Sequence, residues 1–400
     1  MSNANSSEIL YISIDGIMEP LGYSQVYKYL EKLSVNHKIS LITFEKKNDL
    51  SKIKAVRALE KKCLENGIDW HRLRYMSGWL GLGQMLNIAK LYILPIYILM
   101  FQKVKVIHIR SYMPGISMPL LSMIFNFKLI FDIRGFWADE KKDRLNWNPS
   151  SYKYKFFKYL EKYLMKRGDV IITLTHASKE IILKNFYKKN FHLEVIPTCV
   201  DNTEFFMHSH IKDPERLTIG YLGSTDTAYD FKKFSSLITQ IQKNYIGNID
   251  LKIYSNKQSS YISNLLNDCG VKDVSLDAQF IDRQELPEKI SKFDFLGFYL
   301  KENFSVQASM PTKIAEVLAC GIPVVCNAFN SDIKNLITDN DVGLIYNFSD
   351  TLSKESLKNL LALIKHENTP EKCINISQKY FSLDKGALKI EKIYMKLLAK

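Results

Sequence analysis

SVQASMPTKIAEVLACGIPVV, residues 305–325, is the most informative stretch of this 400-residue chain. Pro311 suits the first position of a helix, and Ala319-Cys320-Gly321 suits its end, since glycine readily takes the left-handed conformation that closes many helices. Pro323 and the apolar residues after it then open a strand. A helix start offers free backbone N–H groups and a partial positive charge, which together attract phosphate. Lys313 in the first turn adds a charge-assisted hydrogen bond worth about 1.5–3 kcal/mol. Glu316 lies one turn further along the same face, where a carboxylate can accept hydrogen bonds from neighbouring hydroxyls, as on a ribose. Phosphate and diol together describe a nucleotide. The same spacing also describes a capped amphipathic helix with a surface Lys and Glu, and spacing alone does not choose between them.

Moving outward, the pattern alternates. Short apolar runs predict strands at 9–14, 38–44, 105–109, 128–133, 169–174 and 193–197, and again at 218–224, 251–255, 274–278, 293–300, 323–327 and 342–346. Helical spacing predicts helices near 22–33, 51–66, 113–126, 151–167 and 176–186. In the second half, helices are predicted near 230–243, 258–268, 284–292, 312–320, 330–338, 351–366, 370–381 and 385–399. Strand–helix alternation implies parallel sheets covered on both faces, so the fold class is α/β. IPTCVDNTEF, 196–205, reads as a boundary. The chain therefore divides into residues 1–198, 199–380 and a terminal helix, 381–400, expected to pack back on the first domain. In doubly wound sheets, ligands bind beyond the carboxyl ends of the strands. The places to search are Asp15-Gly16, His108 to Ser111, Asp132 to Glu140, Gly223 to Asp226, and the loop 301–312.

FDIRGFWADEKKDR, 131–144, leaves an apolar strand and places eight charges within Asp132 to Arg144. Arg134 suits bidentate phosphate binding, and Arg110 at the end of the neighbouring strand can join it. Asp132, Asp139 and Glu140 are candidates to orient a hydroxyl or take its proton. Phe136 and Trp137 either stack on a sugar face or anchor the loop. The competing reading is an internal salt-bridge cluster. Gly16, in the first βα turn with Gly22, either lets a phosphate approach the backbone or simply permits a tight turn.

Composition narrows the classes. Net charge is +13, and residues 1–200 carry +14 of it, with 31 Lys and Arg against 17 Asp and Glu. A basic half suits a polyanion: nucleic acid, an anionic membrane or a phosphorylated lipid. No recognised nucleic-acid-binding motif is present, so nucleic acid is not an expected partner. Six cysteines show no metal spacing and read as small apolar residues in a reducing compartment. His208 and His210 read as loop residues, so no metal is expected. The polar start MSNANSSE lacks the pattern of a signal peptide. WLGLGQMLNIAKLYILPIYILMFQ, 79–102, is broken by Lys90 and Pro95, and its uninterrupted apolar part is short of the roughly 20 residues needed to span a bilayer. A buried helix is the first expectation there, and a helix lying in the membrane surface the second.

PTKIAEVLACGIPVV resembles the donor-site helix of family 4 glycosyltransferases, which have the GT-B fold of two Rossmann-like doubly wound domains facing an interdomain cleft. FDIRGFWADE resembles a branch common in bacterial envelope-polysaccharide synthesis. HIRSYMPG (108–115), LTHAS (174–178), IPTCVD (196–201) and GYLGS (220–224) agree in order, and the resemblance covers nearly the whole chain. It implies retaining, metal-independent transfer of a sugar from a nucleotide sugar, with no cofactor. Donor-binding residues would be Gly16, Gly223, Ser224, Ser309, Met310, Pro311, Thr312, Lys313 and Glu316. Asp132, Arg134, Asp139 and Glu140 would carry the chemistry, with Arg110 and Arg134 on acceptor or phosphate. Glu316 matches the second glutamate of the family's Glu-x7-Glu motif. The first falls at position 308, where this chain has Ala308, and Glu302 or Gln307 is the expected substitute. A basic pair common after the GYLGS strand is also missing, with Lys232, Lys233 or Arg283 as stand-ins. Many relatives have a histidine near 132–140, and this chain has none there.

The resulting expectation is a cytoplasmic transferase, peripheral at the inner face of the cell membrane. Its partners would be a nucleotide sugar, a saccharide or lipid-linked acceptor and an anionic membrane surface. A nucleotide-sugar epimerase and a degenerate, non-catalytic binding partner are the alternatives; a GT-B phosphorylase is weaker, since no lysine context suggests pyridoxal phosphate.

Overall fold

The computed structural model describes residues 8–77, 81–186, 192–209, 213, 215–226, 228–346 and 351–399. Two compact units result: Met1–Pro197 with Leu383–Lys400, and Thr198–Ser382. In the first, β1 (Ile9–Ser13), β2 (Ile39–Glu45), β3 (Ile68–Arg74), β4 (Val106–Arg110), β5 (Lys128–Asp132), β6 (Val170–Thr173) and β7 (His192–Val195) form one sheet. The order is β3-β2-β1-β4-β5-β6-β7, and every pairing is parallel. β1, β2 and β4 are buried at every position, as strands covered on both faces must be. The second unit holds β8 (Arg216–Leu222), β9 (Asn248–Tyr254), β10 (Ser275–Gln279), β11 (Phe295–Gly297), β12 (Val324–Cys326) and β13 (Gly343–Ile345). Their order is β10-β9-β8-β11-β12-β13, again all parallel.

Both sheets reverse direction once, between β1 and β4 and between β8 and β11. Ligands of doubly wound sheets sit outside the strand ends at such a reversal. The register brings Ser13 beside Arg110 and Arg110 beside Asp132, so two of the expected site residues end adjacent strands.

The last helix, Leu383–Leu398, completes the first unit. It buries Ile390, Ile393, Tyr394 and Leu397, and Tyr394 Oη lies 2.8 Å from His108 Nδ1. In the second unit, the Thr369–Tyr380 helix packs on the Thr312–Ala319 helix, where Ser377 Oγ donates to Ala315 O at 3.2 Å.

Several expectations need correction. β3 was not foreseen: its sequence, IDWHRLR, alternates buried and exposed positions at a sheet edge and has no apolar run. The stretch after Gly135 is a helix, Trp137–Leu145, and not a loop. Pro311 precedes the 312–319 helix in extended conformation (ψ 129°) and is not its first residue. The apolar segment forms the Leu82–Phe101 helix, yet only 22% of its most apolar window is buried, so it is not a core helix. Residues 79–80 of that stretch, and His210, lie outside the described residues; His208 is irregular. Five cysteines are buried, and Cys269 is half-buried.

Candidate functional site

In the second unit the candidate residues meet at the ends of β8 and β11. Gly223 follows β8 with φ 98°, a conformation that favours glycine. Lys313 reaches across to it: a Cβ at Gly223 would lie 3.5 Å from Lys313 Nζ. Nζ donates to Leu222 O and stands over the ring of Tyr229 at 3.6 Å, with Tyr221 and Phe298 at 5.2 and 5.1 Å. The lysine is buried. Among the described residues no carboxylate lies within ion-pair distance of it, and burial lowers its pKa to about 7, with Glu316 opposing the shift. The 312–319 helix has no side-chain cap, and its approach is pinned. Thr198 Oγ1 donates to Met310 O at 2.8 Å, and Asn330 Nδ2 to Ser309 O at 2.8 Å. Glu316 is held by Arg283, whose Nη1 lies 3.0 Å from Oε1. Arg283 also pairs with Glu204 at 3.4 Å and lies over Phe205. Ser224 Oγ donates to Asp226 at 2.8 Å, and Thr225 Oγ1 between them is buried without a partner. These groups offer a cation, a helix start and an oriented carboxylate on one surface.

In the first unit, Arg110, Asp132 and Arg134 cluster at the ends of β4 and β5. Asp132 Oδ2 lies 3.7 Å from Arg110 Nη1 and 3.6 Å from Arg134 Nη1. Arg110 Nε donates to Asp15 at 3.2 Å, and Arg134 Nη2 to Gln25 at 3.3 Å. Among the described residues Asp132 Oδ1 is buried with no hydrogen-bond partner. Burial raises the Asp132 pKa, with Arg134 and Arg110 opposing it. Arg134 has φ 53° and Gly135 φ 141°. A left-handed non-glycine residue costs roughly 1–2 kcal/mol, and strain of this kind gathers at functional sites.

The other expected residues of this unit have different partners. Asp139 accepts from Tyr154 Oη at 2.7 Å and Lys158 Nζ at 3.0 Å. Lys158 also pairs with buried Glu161, which takes the Tyr112 hydroxyl at 2.7 Å. For Asp139, then, the salt-bridge reading describes the geometry. Glu140 sits beneath Gly135, where a Cβ would overlap its carboxylate; burial raises its pKa, and Arg144 at 3.7 Å opposes this. Trp137 anchors its helix among Tyr112, Trp147 and Phe157, and Phe136 is buried. At Gly16 the turn is tight, since a Cβ there would overlap the buried Glu45 carboxylate. Glu45 accepts from Ile17 N at 2.9 Å and Met18 N at 3.1 Å, so these two amides of the turn are satisfied. Among the described residues no group of three or more His, Cys, Asp or Glu stands close enough to hold a metal.

Comparison with known families places this geometry. Glycosyltransferase Family 4 matches residues 26–204, and Glycosyl transferases group 1 matches residues 202–380. The chain is a GT-B glycosyltransferase. Solved structures agree in fold. Sucrose-phosphate synthase from Thermosynechococcus elongatus is 16% identical with a TM-score of 0.71, covering 98% of this chain and 99% of that one. WaaG, a glycosyltransferase involved in lipopolysaccharide biosynthesis, is 12% identical with a TM-score of 0.63, covering 96% and 99%. HepE of Anabaena, solved in complex with UDP-glucose, is 12% identical with a TM-score of 0.65, covering 98% and 100%. No curated protein sequence matches the chain.

In this glycosyltransferase Ala308 is fully buried in a 3₁₀ turn, Phe304–Ala308, so a glutamate at 308 would be forced into the core. Of the expected substitutes, Gln307 donates to Phe329 O at 3.1 Å, and Glu302 accepts from Tyr299 and Asn327 at 3.1 and 3.2 Å. Sequence reading missed Tyr229 as the lid on Lys313, Arg283 as the partner of Glu316, and Glu45 beneath the first turn. Each is distant in sequence from its partner, and no local pattern announces it.

Proposed function

We propose that this transferase is a retaining enzyme that moves a sugar from a nucleotide-sugar donor, without a metal, to a saccharide or lipid-linked acceptor in envelope-polysaccharide synthesis. It would work as a peripheral protein at the cytoplasmic face of the membrane. The observation that carries the reading is the second-unit constellation: Lys313 against Gly223, and Glu316 oriented by Arg283 on the same uncapped helix. The helix start and Lys313 receive the diphosphate, and Glu316 receives the ribose hydroxyls. Arg110 and Arg134 offer charge to a phosphate on the acceptor. Asp132, with one oxygen held by two arginines and one unpartnered, orients the attacking hydroxyl. Retention of configuration rests on the resemblance to family 4. The envelope role is supported by the FDIRGFWADE stretch and by likeness to WaaG, and the membrane by the basic first half.

The test is thermal unfolding against UDP, GDP, CMP, ADP and their common sugars. One nucleotide class should raise the melting temperature through binding to the folded state. Lys313→Ala and Glu316→Ala should abolish that shift while far-ultraviolet circular dichroism stays unchanged. A shift that survives both substitutions would place the donor elsewhere.

A further inference from the structure

Between Asp69 and Asp132 the chain contains no acidic residue and seven basic ones. This segment includes the Leu82–Phe101 and Met118–Ile124 helices. The first packs against the short Pro114–Ser117 turn, the second continues directly from that turn, and the Tyr152–Arg167 helix packs on it as well. Gly115 in that turn makes the third contact possible, since a Cβ there would overlap Leu164. Three helices of the first unit thus share one foundation.

Their outward faces are unusual. The 82–101 helix is fixed by its inner face. Asn87 pairs with both backbone groups of Met76, at 3.0 and 2.9 Å, Lys90 Nζ donates to Arg74 O, and Tyr92 Oη donates to Ile116 O. Its outer stripe exposes Met85, Leu86, Ile93 (68%), Tyr97, Met100 and Phe101 (70%). These lie at helical spacing on one side. On the neighbouring helix Met123 is 85% exposed. On the 152–167 helix, Tyr152, Phe156 and Tyr159 are exposed and interleaved with exposed Lys155 and Lys162, and the helix's one acidic residue, Glu161, is buried. Apolar side chains, tyrosines and lysines on one face, with carboxylates missing, match the layering of a bilayer interface: tails, then headgroups, then anionic charge.

We propose that this three-helix face docks the first unit flat on an anionic lipid bilayer. The proposal rests on the membrane reading above and assigns the surface responsible. The inner-face bonds of the 82–101 helix fix it as a helix lying on the membrane and not crossing it. A second copy of the chain is the poorer occupant, because pairing two such faces would bring two acid-free, basic surfaces together.

The test uses the full chain and phosphatidylcholine vesicles with and without phosphatidylglycerol. Co-sedimentation should require phosphatidylglycerol and weaken with salt. Ile93→Glu with Tyr97→Glu should abolish it. Lys155→Ser and Lys162→Ser should each weaken it about fivefold. The nucleotide melting shift should survive in all variants. Binding that survives the glutamate pair would overturn the assignment, as would a dimer in sedimentation velocity that the glutamate pair dissolves. A nucleotide shift without vesicle binding would refute the docking face and leave the transferase reading intact; vesicle binding without any nucleotide shift would do the reverse.

Discussion

Arg110 in the first unit and Lys313 in the second are buried and Arg134 in the first is half-buried; all three lie beside strand ends, yet among the described residues only the arginines have carboxylates at ion-pair distance. Arg110 touches Asp15 and Asp132, and Arg134 touches Asp132. Lys313 has a carbonyl and three aromatic rings. Guanidinium stays charged in a protein, so its burial demands counter-charge. An amine can instead give up its proton. The first unit therefore holds arginines whose charge is already met in part by carboxylates. The second holds an amine with no carboxylate beside it among the described residues, which burial pushes towards its neutral form.

The sharpest way to break this contrast is to remove a carboxylate. Asp132→Ala leaves one buried and one half-buried guanidinium without their shared partner and should destabilise the first unit by about 3–5 kcal/mol in urea titration. A loss near zero would mean that Asp15 and Gln25 suffice. The mirror experiment has the opposite sign. Lys313→Met removes a poorly solvated amine and should stabilise the free protein at neutral pH by about 1–3 kcal/mol, while eliminating the nucleotide melting shift. A destabilised Lys313→Met protein would show that the bond to Leu222 O outweighs desolvation.

Titration sharpens the same point. The Lys313 pKa falls from the usual 10.5 to about 7 in the folded state. The unfolded chain then binds more protons between these values, so stability through Lys313 rises as pH increases from 7 towards 10.5. In Lys313→Met that slope should flatten. A bound diphosphate restores the charge, so calorimetry of nucleotide binding at pH 8 in buffers of different ionisation enthalpy should show proton uptake in the native protein and none in Lys313→Met. A smaller effect attends His108, whose pKa burial lowers to about 3, with Arg110 and Arg134 acting in the same direction. Its contribution falls as pH drops from 6.5 towards 3. Tyr394→Phe removes its Nδ1 partner and should cost about 0.5–1.5 kcal/mol at pH 7.

Much of the architecture was legible because central parallel strands are continuous apolar runs between glycines and charges. β1, β4 and β5 announce themselves in this way. β3 is an edge strand with one dry face, and its charged alternation hides it. At the site, the arginines could be read from strand-end position and Lys313 from its place in the first turn of a helix. What could not be read was which carboxylate faces which cation. Asp132 and Asp139 lie seven residues apart in one charged stretch, yet Asp132 meets the arginines and Asp139 meets Lys158 and Tyr154. The turn into the 137–145 helix rotates them apart, and only tertiary packing sets that rotation.

The helix that returns to the first unit has a consequence for biosynthesis. The second unit is one unbroken segment, and every residue it needs has been translated by Ser382. The first unit begins earlier but lacks the Leu383–Leu398 helix until those residues are made. On the ribosome, His108 waits for Tyr394, and the surface of the Lys28–Leu33 helix that packs on the 383–398 helix stays uncovered. The unit begun first is therefore finished last, and a stop codon a few turns before Leu398 would leave a complete second unit joined to an unfinished first.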